Sequence, residues 1–213
     1  MKFAQLLSLV GQEPVFESSA LLAGNVDPAY IRRQLSEWAR TGKLVSLRRG
    51  LYCLAEPYRK VQPHSFLTAN RIRQASYVSR ESALAHYDLI PEHVPVVTSV
   101  TTGRPKVYET PLGVFDYRHI QQEFFNAYRS EVFADGQRAL VAGPEKALLD
   151  LIYLTPDADT PEYLIELRLK NLDILDWSVF WTIARNLHSA KLLRATKLLE
   201  SMARENEEQY EAL

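Results

Sequence analysis

Residues 27–54, with the sequence DPAYIRRQLSEWARTGKLVSLRRGLYCL, decide how the N-terminal part of the chain folds. Asp27 followed by Pro28 is the strongest helix start in the chain, because an Asp side chain accepts from unpaired backbone N–H groups and Pro at the first helical position has none to lose. Residues 41–42 end this helix. Two alternating runs then flank a turn at Gly50, which predicts a β-hairpin.

Two shorter helices are predicted upstream. Apolar residues at helical spacing over residues 3–10 predict a first helix that ends at Gly11. A second helix is predicted to begin at residues 17–19 and to end at residues 24–25. Three helices followed by a two-stranded wing predict a winged helix-turn-helix over residues 1–60, in which the third helix lies in the DNA major groove and the wing reaches the flanking backbone.

The polar face of the third helix suits contact with base edges. Arg33 and Gln34 carry donors and acceptors that can pair bidentately with bases, and Tyr30 lies in the first turn, where recognition helices usually touch DNA. The opposite stripe, predicted to belong to the core, consists of Ile31, Leu35 and Trp38.

The wing and the second helix offer groups that suit phosphate. Arg48 and Arg49 at the wing tip, with Lys43 at its base, are expected to contact phosphate without reading sequence. Ser18 and Ser19, at the start of the second helix, are expected to donate hydrogen bonds to a phosphate there. The predicted DNA-contacting residues are Ser18, Ser19, Tyr30, Arg33, Gln34, Lys43, Arg48 and Arg49.

The charge distribution agrees with a basic N-terminal module. The whole chain has 25 Lys and Arg against 26 Asp and Glu, a net charge of −1. Residues 1–60 carry nine basic and five acidic side chains, residues 61–155 carry nine and ten, and residues 156–213 carry seven and eleven. The segment charges are therefore +4, −1 and −4, and the positive share falls on the predicted helix and wing.

Residues 61–213 predict an α+β domain with a helical C-terminal end, which follows a polar, Pro-containing linker at residues 55–64. Ser79 is expected to cap the second of its helices. The predicted strands are residues 94–100, 107–110, 114–117 and 138–142. The predicted helices are residues 66–75, 79–87, 144–154, 161–169, 177–187 and 190–202.

Composition and motifs exclude several classes of protein. With 213 residues and 46% hydrophobic side chains, the chain is long and apolar enough to fold as one or two domains. A single cysteine excludes an internal disulfide, and no signal peptide or membrane span is recognised, so we expect a cytoplasmic protein with no membrane contact. No catalytic motif and no metal-ligand spacing of histidines is present, so we expect no enzyme activity, metal or cofactor.

A series of motifs resembles the AbiEi family, the antitoxins and transcriptional regulators of bacterial type IV toxin-antitoxin systems. The resemblance runs over residues 3–155, and the helices after Pro156 match only loosely. The motifs are RGLY at 49–52, YVSRESAL at 77–84, LIPE at 89–92, TSVT at 98–101, YRHI at 117–120 and PEKALLD at 144–150.

The resemblance implies a winged helix that represses its own operon by binding operator repeats in double-stranded DNA. It also implies a C-terminal domain that neutralises a toxin of nucleotidyltransferase fold, without a need for a stable complex. Carried over by position, DNA binding falls on the third helix and the wing, through Tyr30, Arg33, Gln34, Lys43, Arg48 and Arg49.

Two other interpretations remain open at this point. The first is a stand-alone winged-helix regulator without a toxin partner. The second is an enzyme or a protein-interaction module whose helix-turn-helix is only a docking surface, since an exposed polar helix face is common and winged helices also bind proteins.

Overall fold

The computed structural model describes residues 1–22 and 27–211, and the mixed α+β fold class is confirmed. The described residues form two β-sheets and eight α-helices. The helices are α1 (Phe3–Val10), α2 (Pro28–Arg40), α3 (Ser65–Ile72), α4 (Arg80–His86), α5 (Pro144–Leu154), α6 (Pro161–Glu166), α7 (Trp177–Asn186) and α8 (Ala190–Glu211). The strands are β1 (Phe16–Glu17), β2 (Leu44–Arg48), β3 (Leu51–Leu54), β4 (Ser76–Val78), β5 (Val96–Thr101), β6 (Lys106–Thr110), β7 (Gly113–His119), β8 (Tyr128–Val132) and β9 (Arg138–Ala142).

The N-terminal part packs α1 and α2 against a three-stranded sheet of order β1-β3-β2. Asp27 caps α2 as predicted, because its side chain accepts from the amide of Ala29 at 2.9 Å. The predicted apolar stripe of α2 is buried and shares a core with residues of α1. That core consists of Leu6, Val10, Phe16, Leu21, Ile31, Leu35, Trp38, Leu44 and Leu54.

The predicted second helix differs from the observed segment. Residues Ser18–Leu21 form a 3₁₀ turn, and the predicted end at residues 24–25 lies outside the described residues. The turn begins within the predicted start, at Ser18, because Phe16–Glu17 pairs with β3 as strand β1. The amide of Ser18 then donates to the carbonyl of Gly50 at 2.8 Å. This strand was not predicted, since only its long-range partner makes two residues a strand.

The hairpin β2–β3 turns as predicted, with Gly50 at a φ of 82°. A side chain at Gly50 would also place its Cβ only 3.3 Å from the Oγ of Ser18. The pairing register shifts between Ser46 and Arg48. This irregularity lies one residue before the tip, where a bulge can redirect a side chain.

The second sheet has six strands in the order β6-β7-β5-β4-β9-β8. It is mixed, because β5 pairs with β7 and β4 with β9 in parallel and the remaining neighbours are antiparallel. Tyr117 donates from one face to the carbonyl of Ala69 in α3, whereas Tyr77 donates from the other face to Asp150 in α5. Helices therefore cover both faces of this sheet.

Most elements of the C-terminal part agree with the sequence prediction, and two strands do not. Helix α5 begins and ends where it was predicted, while β4 and β8 were not predicted. Ser79 stands at the N-cap position of α4, but its side chain caps nothing. The prediction of a Ser79 cap is wrong because the side chain is buried in the core and its oxygen accepts from no amide of the helix. Its hydroxyl donates to the carboxylate of Asp150 at 2.7 Å, a charge-assisted hydrogen bond.

The apolar core around the second sheet extends into the N-terminal part and is therefore shared by the two parts of the chain, beside the separate core of α1 and α2. Four buried residues of the N-terminal part, three of them in the hairpin, pack into the same cluster as the second sheet; they are Val15, Leu47, Leu51 and Cys53. The division at residue 60 stays a prediction. Among the described helices, none has both the length and the apolar composition of a membrane span.

Candidate nucleic-acid interface

A surface groove lies between the start of the Ser18–Leu21 turn, α2 and the hairpin tip. We call it the hairpin groove; its volume is about 430 Å³. It brings together four of the eight predicted residues and adds others. The lining residues are Glu17, Ser18, Ser19, Arg32, Ser36, Arg48, Arg49, Gly50 and Tyr52.

Arg32 and Ser36 supply the α2 side of the hairpin groove. They are one helical turn apart, so both side chains leave the helix in nearly the same direction, and both are exposed. The sequence analysis did not select this pair, because the neighbouring Arg33 is equally suited to contact a base edge. The i, i+4 spacing places Arg32 and Ser36 on one side of α2, but only the fold shows that the hairpin approaches that side.

The polar residues at the hairpin tip have different surroundings. Arg49 is exposed, and within residues 1–22 and 27–205 its side chain has no ion-pair partner. The half-buried Ser18 lies beside the tip, since its amide donates to the Gly50 carbonyl. The hydroxyl of the exposed Ser19 donates weakly to Glu17, over 3.5 Å. Arg49 is therefore the most available cation at the tip.

Arg48 is already engaged by the protein itself. Its guanidinium donates to the carbonyls of Ile72 at 2.7 Å, Arg49 at 3.0 Å and Arg71 at 3.3 Å, and to a Glu17 carboxylate oxygen at 3.1 Å. Its side chain is 25% exposed. Phosphate contact by Arg48 stays a prediction, and it would have to compete with these four acceptors.

Tyr30, Arg33 and Gln34 lie outside the hairpin groove, along a separate surface that Glu37 and Trp38 also line. The Gln34 amide is paired at both ends with Met1: its nitrogen donates to the Met1 carbonyl at 2.6 Å, and its oxygen accepts from the Met1 amine at 3.0 Å. The same amine donates to the Tyr30 hydroxyl at 3.0 Å. Of the three predicted base readers, Arg33 alone is exposed without such a contact to Met1.

Lys43 also lies outside the hairpin groove. Its ammonium stands 5.1 Å from the centre of the Phe3 ring, a cation–π distance. Phe3 in turn makes edge contacts with Trp38 and Tyr58 at centroid distances of 5.3 and 5.0 Å. The half-buried Lys43 thus packs beside α1, and its expected phosphate contact stays a prediction.

An ion pair reduces the charge available at the end of α2. Arg40 donates twice to the Glu37 carboxylate, with a shortest distance of 2.7 Å, and these hydrogen bonds hold the pKa of Glu37 below its usual value. Both side chains are exposed, so this pair stabilises the fold little. The cations of α2 left for a phosphate or a base are therefore Arg32 and Arg33.

Residues of two motifs on which the family resemblance rests meet between the second sheet and helix α5. Tyr77 donates to Asp150 at 3.0 Å, Ser79 donates to the same carboxylate, and Lys146 is hydrogen-bonded to its other oxygen. Burial, followed by the nearby Asp150 charge, raises the pKa of Tyr77. All four side chains are buried, so the network ties β4 to α5 and offers no opening to a substrate.

In the part of the chain that the structure describes, no three His, Cys, Asp or Glu side chains are grouped closely enough to hold a metal ion. No protein-family model matches this chain, and no curated protein matches it either.

Proposed function

We propose that the protein is a DNA-binding transcriptional autorepressor that also acts as an antitoxin. The observation that carries the DNA-binding part is the hairpin groove, in which Arg32, Arg49 and Ser18 come from three separate elements to one surface. Guanidinium and hydroxyl groups that line a surface groove in this way bind phosphate and base edges.

The order of elements supports a winged helix-turn-helix. A helix, a short strand, a helical turn and a second helix precede a hairpin, and β1 pairs with the far strand of that hairpin. In this arrangement α2 is the recognition helix and the hairpin is the wing. The short Ser18–Leu21 turn takes the place of the middle helix.

The hairpin groove refines which residues carry each role. We assign base reading to Arg32, with Arg33 on the adjacent exposed side of α2, because an Arg guanidinium matches the acceptor edge of guanine. Phosphate contact is assigned to Arg49, helped by Ser18 and Ser19. Gln34 and Tyr30 hold Met1 in this assignment and lie at the margin of the surface.

The antitoxin part of the proposal comes from the AbiEi resemblance alone. It assigns residues 61–213 the neutralisation of a nucleotidyltransferase-type toxin, by a non-enzymatic route. The closed Tyr77–Ser79–Lys146–Asp150 network agrees with a structural role for those motifs, since buried side chains cannot reach a substrate.

DNA binding is tested by fluorescence anisotropy at several salt concentrations. The probe is a DNA duplex from the region upstream of the gene that encodes this chain, called the upstream duplex below. We expect binding that weakens steeply with salt. Arg49→Ala should weaken binding to all duplexes alike, whereas Arg185→Ala, which removes an exposed Arg from α7, should leave it unchanged. Binding that does not depend on salt, or no binding at all, would contradict the proposed DNA-binding function.

The antitoxin part is tested by co-expression of the full chain with the product of the adjacent reading frame. Growth arrest by that product alone, relieved by this chain, supports the proposal. An Arg32→Ala/Arg49→Ala variant should still relieve the arrest, because its changes are confined to the hairpin groove. An adjacent product without toxicity favours the stand-alone regulator.

A further inference from the structure

We propose that Arg48 is a positioning residue: it fastens the hairpin tip to the end of α3 and thereby presents Arg49 to DNA. This inference rests on the proposed DNA binding. It replaces the expectation that both tip arginines contact phosphate with a division of roles between them, one turned towards the protein and one towards the ligand.

The end of α3 supplies two of the acceptors for Arg48. The carbonyls of Arg71 and Ile72 belong to the last turn of α3, where carbonyl groups lack partners within the helix. The C-terminal end of a helix also carries partial negative charge, which favours a guanidinium. Arg48 therefore satisfies two carbonyls at the end of α3 with a side chain from the hairpin.

Glu17 neutralises the charge that Arg48 brings to this junction. Its carboxylate accepts from Arg48 and also, more weakly, from Gln74 in the turn after α3, over 3.5 Å. Strand β1, the hairpin and the α3–β4 turn thus meet at one ion pair. A cation already paired in this way adds little to the attraction for a phosphate.

The fourth contact of Arg48 reaches the next residue of the tip. Its Nη1 donates to the carbonyl of Arg49, so it fixes the peptide group that follows the Arg49 side chain. The Gly50 carbonyl one residue later is held by the Ser18 amide. With both carbonyls held, the exposed Arg49 side chain leaves the tip in a defined direction along the hairpin groove.

A lysine cannot replace Arg48 in this role. The guanidinium places three nitrogens in one plane, and each of them reaches a different acceptor. A lysine keeps the positive charge but concentrates its donors on one nitrogen. Arg48→Lys therefore separates positioning from charge: it preserves a simple phosphate contact and loses the multi-point attachment.

The test measures binding of the full chain to the upstream duplex over a series of salt concentrations. The proteins are the parent chain, Arg49→Ala, Arg48→Lys and the double variant. The slope of log K against log salt is negative, and loss of one phosphate contact reduces its magnitude by about 0.9. We expect this decrease for Arg49→Ala, a similar decrease for Arg48→Lys despite its retained charge, and no further loss in the double variant.

Three outcomes would overturn the inference. If Arg48→Lys binds the duplex with the affinity and the salt dependence of the parent chain, Arg48 either contacts phosphate through its charge alone or takes no part in binding. Losses that add in the double variant would mean that Arg48 does not act through Arg49. A parent chain that binds no duplex would overturn the proposed function together with this inference, whereas the first two outcomes leave the proposed function intact.

Hydrogen exchange of the DNA-free chain gives a second readout that does not depend on binding. The Ser18 amide is bonded to Gly50, so its exchange reports whether the tip is held. We expect faster exchange of Ser18 and of the β2–β3 amides in Arg48→Lys, with the amides of α5 unchanged as the internal control for folding. Parent-like exchange at Ser18 would contradict the attachment.

Discussion

Arg32 and Arg33 are neighbours in the sequence, yet they line different surfaces of α2. Arg32 lines the hairpin groove together with Arg49. Arg33 lies on the other side, where the Met1 amine donates a hydrogen bond to Gln34. Helical periodicity separates adjacent residues by about 100°, so the sequence places both on a broad polar face and cannot rank them. The ranking comes from the approach of the hairpin, which is a tertiary contact.

Arg32→Ala is expected to weaken binding to the upstream duplex by about 1–3 kcal/mol and to relax base preference at one position. The reason is that Arg32 lies on the hairpin side of α2, within reach of a base edge in the proposed complex. Anisotropy with single-base variants of the duplex measures both effects. Gln34→Ala is the comparison, and a larger loss there than at Arg32 would reverse the assignment.

His64, at the start of α3, is expected to make the stability of the fold depend on pH. Its Nδ1 accepts from the amide of Phe66 at the start of α3, and its ring stacks on Phe133 at 4.0 Å. Burial, followed by the nearby His86, lowers the pKa of His64 below its ordinary 6.5. The neutral ring is therefore the form that the folded state favours.

A lowered histidine pKa costs stability in acid. Above pH 6.5 the ring is neutral in both states; as the pH falls from there towards the lower pKa of the folded state, the unfolded chain takes up the proton first and unfolding becomes easier. We expect the unfolding midpoint to fall over this range. His64→Asn keeps a capping acceptor without titrating, so it should flatten this dependence, while His188→Asn, at an exposed histidine, should not.

At the scale of elements, those with strong local signals were predicted and those that depend on distant partners were not. Helix α5, with Pro144 at its first position, and α2 with its Asp27 cap follow from local chemistry. Strand β8 has the polar sequence YRSEV because it lies at a sheet edge, and β4 has only three residues. Neither shows the alternation or length by which strands are recognised.

The attachment of β4 to α5 depends on the buried pair of Lys146 and Asp150. Removing one partner leaves the other charge without compensation in the core, so Lys146→Met should cost about 3–5 kcal/mol in the free energy of unfolding. Replacing both residues with apolar ones, as in Lys146→Met/Asp150→Leu, should recover much of that loss. Chemical denaturation measures both variants, and a double variant less stable than the single one would contradict this account.

For the molecule as a whole, the sequence predicts the charge gradient but not the shared core. Segment charges were readable directly, and the basic share does fall on the part that carries the hairpin groove. The shared core could not be predicted from the sequence. Leu47 and Leu51 belong to the alternating apolar and polar pattern that any hairpin shows. Nothing in such alternation says that the outer face of the hairpin packs on a second sheet.

A shared core predicts that the chain unfolds as one unit rather than as two domains divided at residue 60. Trp38 reports on the first core and Trp177 on α7, so single-tryptophan variants should give coincident denaturation curves. Leu47→Ala should shift both curves together, with a loss of about 2–5 kcal/mol, because Leu47 is buried between the two parts. Two separate transitions, with Leu47→Ala moving only that of Trp38, would mean that the hairpin packing does not couple the parts.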